Sequence, residues 1–222
     1  MALEFLHPIP RNPRRVALFP GTWNPPTVAH VDIARAALGQ ADEVIWILPR
    51  VFPHKSFEAA EFEARRAMLE RIARECAGFS VAISDGGLYV EIAAEAREYF
   101  APDVEIAIVL GRDAAERIAT WNYGVPGVFD DLVRRHRLLV AARQGEYIPA
   151  LRHRERIVSL PMGTNWDEVS SSEVRRRIAA GGDWRHLVPR AITEMAGNLY
   201  SEGIIHGETR TAAGSGSAER EP

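Results

Sequence analysis

Hydrophobic and polar positions follow two alternating patterns along this chain. Short runs rich in Val, Ile and Leu recur, and longer stretches with apolar residues at helical spacing separate them. The runs predict strands at residues 15–19, 43–48, 80–83, 104–110, 137–141 and 157–160. Nearly continuous apolar runs are typical of strands buried on both faces, so the alternation indicates βαβ units and a parallel sheet.

The intervening stretches predict helices at residues 62–76, 88–100, 113–119 and 188–200. In the first of these, apolar residues such as Phe62 and Ile72 fall on one helical face, and we place Arg65 among the polar positions outside it. Gly and Pro at 123–127 break the pattern. We expect an α/β fold, a Rossmann-like doubly wound parallel sheet of five to six strands with helices on both faces and a small C-terminal helical part.

Length and composition indicate the domain organisation of the chain. At 222 residues with 46% hydrophobic, one sizeable domain is expected at 14–204. An extended lead-in at 1–13 is expected before it. The Gly/Ser-rich and charged tail at 205–222 should be disordered, because it cannot bury enough apolar surface to order itself.

Charge, the N-terminal sequence and cysteine content indicate which partners and which cellular location to expect. The net charge of -3 and the pI near 6.2 argue against the broad basic surface of a nucleic-acid binder. The N-terminus has no long apolar core, which argues against a secretory signal or membrane anchor, so no membrane partner is expected. The single cysteine, Cys76, excludes an intramolecular disulfide and fits a cytoplasmic protein; we expect it to be a small buried hydrophobe.

Two segments carry the groups of a phosphate site. The N-terminal motif, GTWNPPTVAH at 21–30, lies between a predicted strand and a helix, the turn where open α/β sheets bind nucleotides. The C-terminal motif, VSSSEVR at 169–175, places three hydroxyls before a helix that carries Arg175 one turn in. Backbone N–H groups, hydroxyls and a guanidinium so placed can converge on an anion. We therefore expect the motifs to form two halves of one site.

Several segments share an order with one protein family. The N-terminal motif resembles the G-x-F-x-P-x-H-x-G-H signature of the nucleotidyltransferase superfamily, and SSSEVR resembles its S-S-T-x-x-R signature. Within that superfamily the chain looks most like the nicotinate/nicotinamide mononucleotide adenylyltransferases over residues 15–200. The family's further matching segments are PHK at 53–55, GRD at 111–113, ATW at 119–121, an arginine at 143 and LVP at 187–189.

The resemblance implies a reaction and a set of residues. The 5′-phosphate of a pyridine mononucleotide would attack the α-phosphorus of ATP directly, with release of pyrophosphate and no protein nucleophile. Catalytic roles are implied for Thr27, His30, Lys55 and Arg175. ATP binding is implied for Gly21, Thr22, Trp23, Thr27, His30, Gly111, Asp113, Ser170, Ser171 and Arg175. Mononucleotide binding is implied for Asn24, His54, Lys55, Tyr89, Trp121 and Arg143. The expected ion is Mg²⁺, bound mainly through ATP phosphates and without a protein ligand set.

The residues leave alternatives open at this point. His30 either donates to a phosphoryl oxygen or lies on a polar helix face. Asp113 accepts from a ribose or caps the next helix, and Trp121 stacks on the pyridine or packs in the core. Arg143 binds the mononucleotide phosphate or is one of many solvated arginines, and at most one or two of the three arginines at 175–177 can face one ligand.

Departures from the family pattern keep the function open as well. Thr27 replaces the signature's first histidine, Ala29 replaces its glycine, and the segment around Tyr89 matches loosely. Other superfamily reactions, with CMP transfer or with a phosphopantetheine or FMN acceptor, remain alternatives, as does a non-catalytic nucleotide-binding module. The choice between nicotinate and nicotinamide is open. So is the oligomeric state, with a homo-oligomer as one alternative because family members are often oligomeric.

Overall fold

The computed structural model describes residues 3–7, 9, 12–52, 59–142, 145–163 and 166–201. In this part of the chain a seven-stranded sheet forms the centre of the fold. Its strands are β1 (Glu4–Phe5), β2 (Arg15–Pro20), β3 (Glu43–Pro49), β4 (Phe79–Ser84), β5 (Glu105–Gly111), β6 (Arg137–Ala141) and β7 (Ile157–Leu160). Their order is β1-β4-β3-β2-β5-β6-β7. All neighbours pair in parallel except β1 and β4.

The six predicted strands are all present, and β1 is the addition. Glu4 pairs with Ile83 and Phe5 with Ala82 in the antiparallel sense, and the Leu3 side chain is buried beside them. The expected lead-in therefore joins the sheet at its edge. A strand of two residues has no periodicity that a sequence pattern could reveal.

Seven α-helices flank the sheet in the described residues. They are α1 (Val28–Leu38), α2 (Ala59–Glu75), α3 (Tyr89–Tyr99), α4 (Arg112–Ala119), α5 (Val128–Arg135), α6 (Ser171–Ala179) and α7 (Thr193–Ser201). Short 3₁₀ turns cover Leu151–His153, Arg185–Leu187 and Arg190–Ile192. The last predicted helix begins five residues later than expected because Pro189 leads into a separate 3₁₀ turn. Helix α5 was not predicted.

Cys76 is half-buried just beyond α2, where it packs against the edge of the core.

Side chains of alternate residues along each strand face opposite layers. On β2, Ala17 and Phe19 face the core shared with α1, α2, α6 and α7. Val16 and Leu18 face the core shared with α3, and α4 and α5 continue that layer over β5 and β6. Helices therefore cover both faces, and the predicted doubly wound α/β fold is confirmed.

The strand order reverses between β2 and β5, which are parallel neighbours in the middle of the sheet. After β2 the chain passes to α1 on one face, and after β5 it passes to α4 on the other. The two connections diverge and leave a crevice at the carboxyl ends of the strands, where open α/β sheets bind ligands. Within the described residues, no helix has the length and apolar character needed to span a membrane.

Candidate active site

The turn after β2 is fixed by a buried tryptophan. The Trp23 indole Nε1 donates to the carbonyl of Ile47 at 2.8 Å, and the ring packs against Phe19, Trp46 and His30. Trp23 has a φ of 52°, a conformation that non-glycine residues rarely adopt. A Cβ on Gly21 would lie 2.7 Å from the Trp23 ring. Gly21 thus accommodates this indole, which lies in the core, and the ATP contact of Trp23 stays a prediction.

Thr27 and His30 form a reciprocal cap at the start of α1. The His30 Nδ1 accepts from the Thr27 backbone N–H at 3.0 Å and lies 2.9 Å from the Thr27 Oγ1. The Thr27 Oγ1 in turn accepts from the His30 backbone N–H at 3.4 Å. Because a backbone N–H can only donate, we assign the proton of the neutral imidazole to Nε2. His30 therefore carries a donor on the side of the ring away from the cap.

The Thr27 side chain is fully buried. Its hydroxyl lies against His30, and the predicted polyphosphate contact of Thr27 stays a prediction. Thr27 ends the turn, caps α1 and fixes the orientation of the His30 ring.

The C-terminal motif contacts the N-terminal motif directly. Ser170 caps α6 by accepting from the Glu173 backbone N–H at 3.1 Å. The Ser171 hydroxyl donates to the Pro25 carbonyl at 2.8 Å, and the Arg175 Nη1 donates to the Asn24 carbonyl at 2.5 Å. The expectation that the two motifs lie together is confirmed.

The three consecutive arginines of α6 have different environments. Arg176 and Arg177 both pair with Glu173, with N–O distances of 2.6 Å. Their hydrogen bonds hold the pKa of the Glu173 carboxyl at about 2. Arg175 alone of the three reaches the N-terminal motif, so the helix presents one arginine to the site.

Arg65 supports the N-terminal motif, and the sequence did not predict this role. Its side chain is fully buried in α2, where Nε donates to the Glu61 carbonyl at 3.0 Å and Nη1 to the Thr22 carbonyl at 2.9 Å. The guanidinium also packs against the rings of Phe52 and Phe62. The assignment of Arg65 to the polar face was therefore wrong. Its spacing of three residues from Phe62 and four from Leu69 places it in the apolar stripe, and that spacing was the available signal.

A cavity of about 300 Å³ opens beside the N-terminal motif. Gly21 and Thr22 of the N-terminal motif line it together with Tyr89, Trp121 and Tyr123. Burial raises the pKa of Tyr89 to about 12 and also raises the pKa of Tyr123, so both phenols are neutral at physiological pH. We call this space the aromatic cavity. Tyr89 and Trp121, two predicted mononucleotide residues, thus lie together next to the predicted ATP loop.

The remaining predicted residues are more dispersed. The Asn24 Oδ1 accepts a hydrogen bond from the Tyr200 hydroxyl, so the Asn24 side chain is bonded to α7. Helix α4 begins at Arg112 with Gly111 at the N-cap position. The capping alternative for Asp113 is therefore wrong, and its exposed carboxylate lies in the first turn of α4 at the crevice. His54, Lys55 and Arg143 fall outside the described residues.

The site donors are hydroxyls, a guanidinium, an imidazole and backbone N–H groups. Among the residues that the structure describes, no group of three or more His, Cys, Asp or Glu side chains is placed to hold a metal ion. The geometry instead suits phosphate oxygens, which accept from each of these donors.

The fold and the paired motifs together define an α/β nucleotide-binding protein with a split phosphate site. The family model for cytidylyltransferase-like proteins matches residues 18–177, a range that includes both motifs. The chain belongs to the cytidylyltransferase-like family.

The relatives sharpen this assignment. The chain is 33% identical over 188 residues to a probable nicotinate-nucleotide adenylyltransferase of Salinibacter ruber, covering 80% of this chain and 92% of the relative. It is 32% identical over 187 residues to a protein of the same name from Solibacter usitatus, covering 80% and 94%. In fold it is similar to the Plasmodium falciparum nicotinic acid mononucleotide adenylyltransferase complexed with NaAD. That comparison has a TM-score of 0.64 and 18% identity, and it covers 85% of this chain and 98% of the other. The resemblance inferred from the motifs is confirmed.

Proposed function

We propose that this protein transfers AMP from ATP to nicotinate or nicotinamide mononucleotide, forming the dinucleotide and releasing pyrophosphate in NAD biosynthesis. The observation that carries the proposal is the direct contact of the two phosphate motifs, through Arg175 and Asn24, beside the aromatic cavity. The names of the bacterial relatives support the same reaction.

The chemistry requires positioning and charge stabilisation rather than a protein nucleophile. A 5′-phosphate oxygen of the mononucleotide attacks the α-phosphorus of ATP, a new P–O bond forms, and the bond to the β-phosphate oxygen breaks. Negative charge spreads over the α-phosphoryl oxygens in the transition state. The Nε2–H of His30 would donate to one of those oxygens, a bond that strengthens as the charge develops.

The C-terminal motif would bind the leaving pyrophosphate. In the present arrangement the Arg175 guanidinium and the Ser171 hydroxyl donate to carbonyls of the turn after β2. Phosphate oxygens are charged and are therefore stronger hydrogen-bond acceptors than carbonyl oxygens. We therefore assign Arg175, Ser170 and Ser171 to the β- and γ-phosphates. From the resemblance, Lys55 and His54 would add charge near the reacting phosphates.

The aromatic cavity would hold the pyridine ring. Trp121 presents a flat aromatic surface for stacking, and Tyr89 lies in the same cavity. Its volume falls at the small end of ligand-binding cavities, in keeping with a single ring. From the resemblance, Arg143 would bind the mononucleotide phosphate, and we assign Asp113 to a ribose.

We also propose that Mg²⁺ accompanies ATP and is held mainly by its phosphates. The hydroxyl and guanidinium donors of this site suit phosphate oxygens rather than a metal ion, and Mg²⁺ commonly keeps several waters while binding substrate phosphates. When bound, Mg²⁺ supplies positive charge to the triphosphate. We further propose that the protein is cytoplasmic, that it forms a homo-oligomer and that it has no nucleic-acid partner.

A substrate panel tests the function. The purified protein is incubated with Mg²⁺ and either ATP or CTP, and each nucleotide is tested with one acceptor at a time. The acceptors are nicotinate mononucleotide, nicotinamide mononucleotide, phosphopantetheine, FMN and an alcohol phosphate. We expect pyrophosphate and a dinucleotide in equal amounts from ATP with a pyridine mononucleotide. If neither pyridine mononucleotide causes release of pyrophosphate but another acceptor does, the protein catalyses a different reaction of the superfamily. Binding of ATP without any turnover would indicate a non-catalytic module.

A further inference from the structure

Tyr200 connects the last helix to the N-terminal motif. It lies near the end of α7, and its side chain is buried. Its hydroxyl donates to the Asn24 Oδ1, across 176 positions of the chain. None of the site residues implied by the family resemblance lies on α7. This bond therefore gives the C-terminal helical part a contact with the site that the sequence did not predict.

Helix α7 buries few side chains, and one of them is polar. Among the described residues of this helix, Ala196 and Tyr200 are buried, and Ala196 has no polar group. A buried hydroxyl costs free energy unless it is hydrogen-bonded, and the acceptor here is a side chain of the N-terminal motif. Burial also raises the pKa of Tyr200, so at neutral pH the phenol keeps the proton that it donates.

Two arginines hold the same turn from neighbouring helices. Arg65 of α2 donates to the Thr22 carbonyl at 2.9 Å, and Arg175 of α6 donates to the Asn24 carbonyl at 2.5 Å. Helix α7 packs against both α2 and α6. Both guanidinium groups are close enough to Tyr200 to oppose, in part, the rise that burial causes in its pKa. Three helices therefore converge on this turn, and α7 contributes a neutral donor to it.

The Asn24 residue is held at two points. Arg175 bonds its main-chain carbonyl, and Tyr200 bonds its side chain. Two prolines follow at 25–26 and restrict the backbone up to Thr27, whose N–H and hydroxyl contact the His30 ring. Because the intervening chain is short and stiff, a shift of Asn24 should be transmitted to the cap that orients His30.

We infer that Tyr200 is a positioning residue for AMP transfer, which acts through Asn24 on the turn that leads to His30. Loss of its hydroxyl should slow the reaction although no group that contacts a substrate is removed. A role in packing alone would need only the aromatic ring, which Tyr200→Phe retains. This inference rests on the proposed function.

The kinetics of Tyr200→Phe test the inference in the full-length protein. The measurement is kcat with ATP and a pyridine mononucleotide, at a temperature well below the unfolding midpoint of every variant. We expect kcat to fall about 3- to 10-fold, the range for loss of one neutral hydrogen bond. Two controls should match the wild type. Tyr99→Phe removes the hydroxyl of an exposed tyrosine, and Ala196→Gly weakens α7 at a side chain that cannot hydrogen-bond.

A double-mutant cycle distinguishes positioning from loss of packing. In an Asn24→Ala background, Tyr200→Phe should have no further effect on kcat, because the acceptor of its hydroxyl is absent. Additive losses would show that Tyr200 acts elsewhere in the fold and would overturn the inference. A kcat for Tyr200→Phe equal to that of Ala196→Gly would do the same.

Hydrogen exchange without substrates gives a measure that does not depend on turnover. The Gly21 N–H donates to a carbonyl of β3 at 3.1 Å, and the Thr27 N–H donates to the imidazole of the cap at 3.0 Å. Both amides therefore report how well the turn is ordered. Mass spectrometry of peptides that cover residues 21–30 should show exchange about threefold faster or more in Tyr200→Phe, and wild-type exchange in Ala196→Gly.

The exchange measurement also separates two kinds of failure. Wild-type exchange at 21–30 in Tyr200→Phe would overturn the inference. If Tyr200→Phe does not fold, Asn24→Ala breaks the same bond at its acceptor, and wild-type exchange in that variant would be equally decisive. If the wild type turns over neither pyridine mononucleotide, the proposed function fails, and the exchange rates still decide whether Tyr200 orders the turn.

Discussion

Arg175 donates a hydrogen bond from Nη1 to the main-chain carbonyl of Asn24, a residue 151 positions earlier in the chain. Ser171, on the same helix, donates to the carbonyl of the next residue, Pro25. The C-terminal motif thus supports the turn of the N-terminal motif as well as facing the crevice. A substitution in either motif should disturb the geometry of both.

Arg175→Ala should lower kcat/KM for ATP by about 10- to 100-fold, because a guanidinium bound to phosphate is removed together with its bond to the Asn24 carbonyl. Steady-state kinetics with varied ATP measures this. Arg176→Ala is the matched control, since Arg176 is exposed and paired with Glu173. Equal kinetic effects of the two substitutions would contradict the assignment of Arg175 to the site.

Thr27→Val should lower kcat by roughly tenfold through His30, the order expected when one hydrogen bond that orients a catalytic group is lost. It should also cost about 1 kcal/mol of unfolding free energy, the usual effect of losing a helix N-cap. Thr27→Ser keeps the hydroxyl and should retain most of the activity.

A double-mutant cycle separates positioning from simple destabilisation. In a His30→Ala background, Thr27→Val should have no further effect on kcat, because the ring that Thr27 orients is absent. Additive losses would show that Thr27 contacts the substrate itself, as the family resemblance implies.

The sheet could be predicted from the sequence because its six parallel strands are apolar runs, and β2, β3, β4 and β6 are buried along nearly their whole length. The unpredicted elements are short. Strand β1 has two residues, and α5 has eight, of which only Leu132 and Val133 are buried. Such segments carry too few buried positions for a period to emerge.

The placement of a residue at the two motifs was predictable where its position within a motif decides that placement, as for Arg175, which contacts Asn24. It was not predictable where packing decides. Arg65 is charged, yet it lies in the apolar stripe of α2 with its guanidinium bonded to carbonyl oxygens. Whether Thr27 faces a ligand or His30 depends on the path of the turn, which the sequence pattern does not contain.

Arg65→Met should reduce the unfolding free energy by about 3 kcal/mol, the scale for breaking a buried charged network. The Thr22 carbonyl would lose its donor, so the ATP loop should also become less ordered. Chemical denaturation with activity assays on the same samples measures both effects. Arg66→Met is the control, because Arg66 makes only surface ion pairs with Glu63 and Glu70 in the described structure, and such pairs contribute about 0 to 1 kcal/mol.

Trp121→Ala should raise the KM for the mononucleotide by about tenfold while leaving the KM for ATP nearly unchanged, since stacking on an aromatic ring contributes on the order of 1 kcal/mol. Varying each substrate at saturating levels of the other gives the two constants. A rise in the KM for ATP alone would place Trp121 outside the mononucleotide site.

His30→Ala tests the central claim, that a neutral imidazole held by Thr27 stabilises the transferring α-phosphoryl group. The measurement is kcat for dinucleotide formation from ATP and nicotinate mononucleotide, with the thermal unfolding of wild type and variant compared in the same buffer. We expect kcat to fall by about 100- to 1000-fold, the range for loss of a donor to a developing oxyanion, while the protein stays folded. An equal kcat in the two folded proteins would contradict the account.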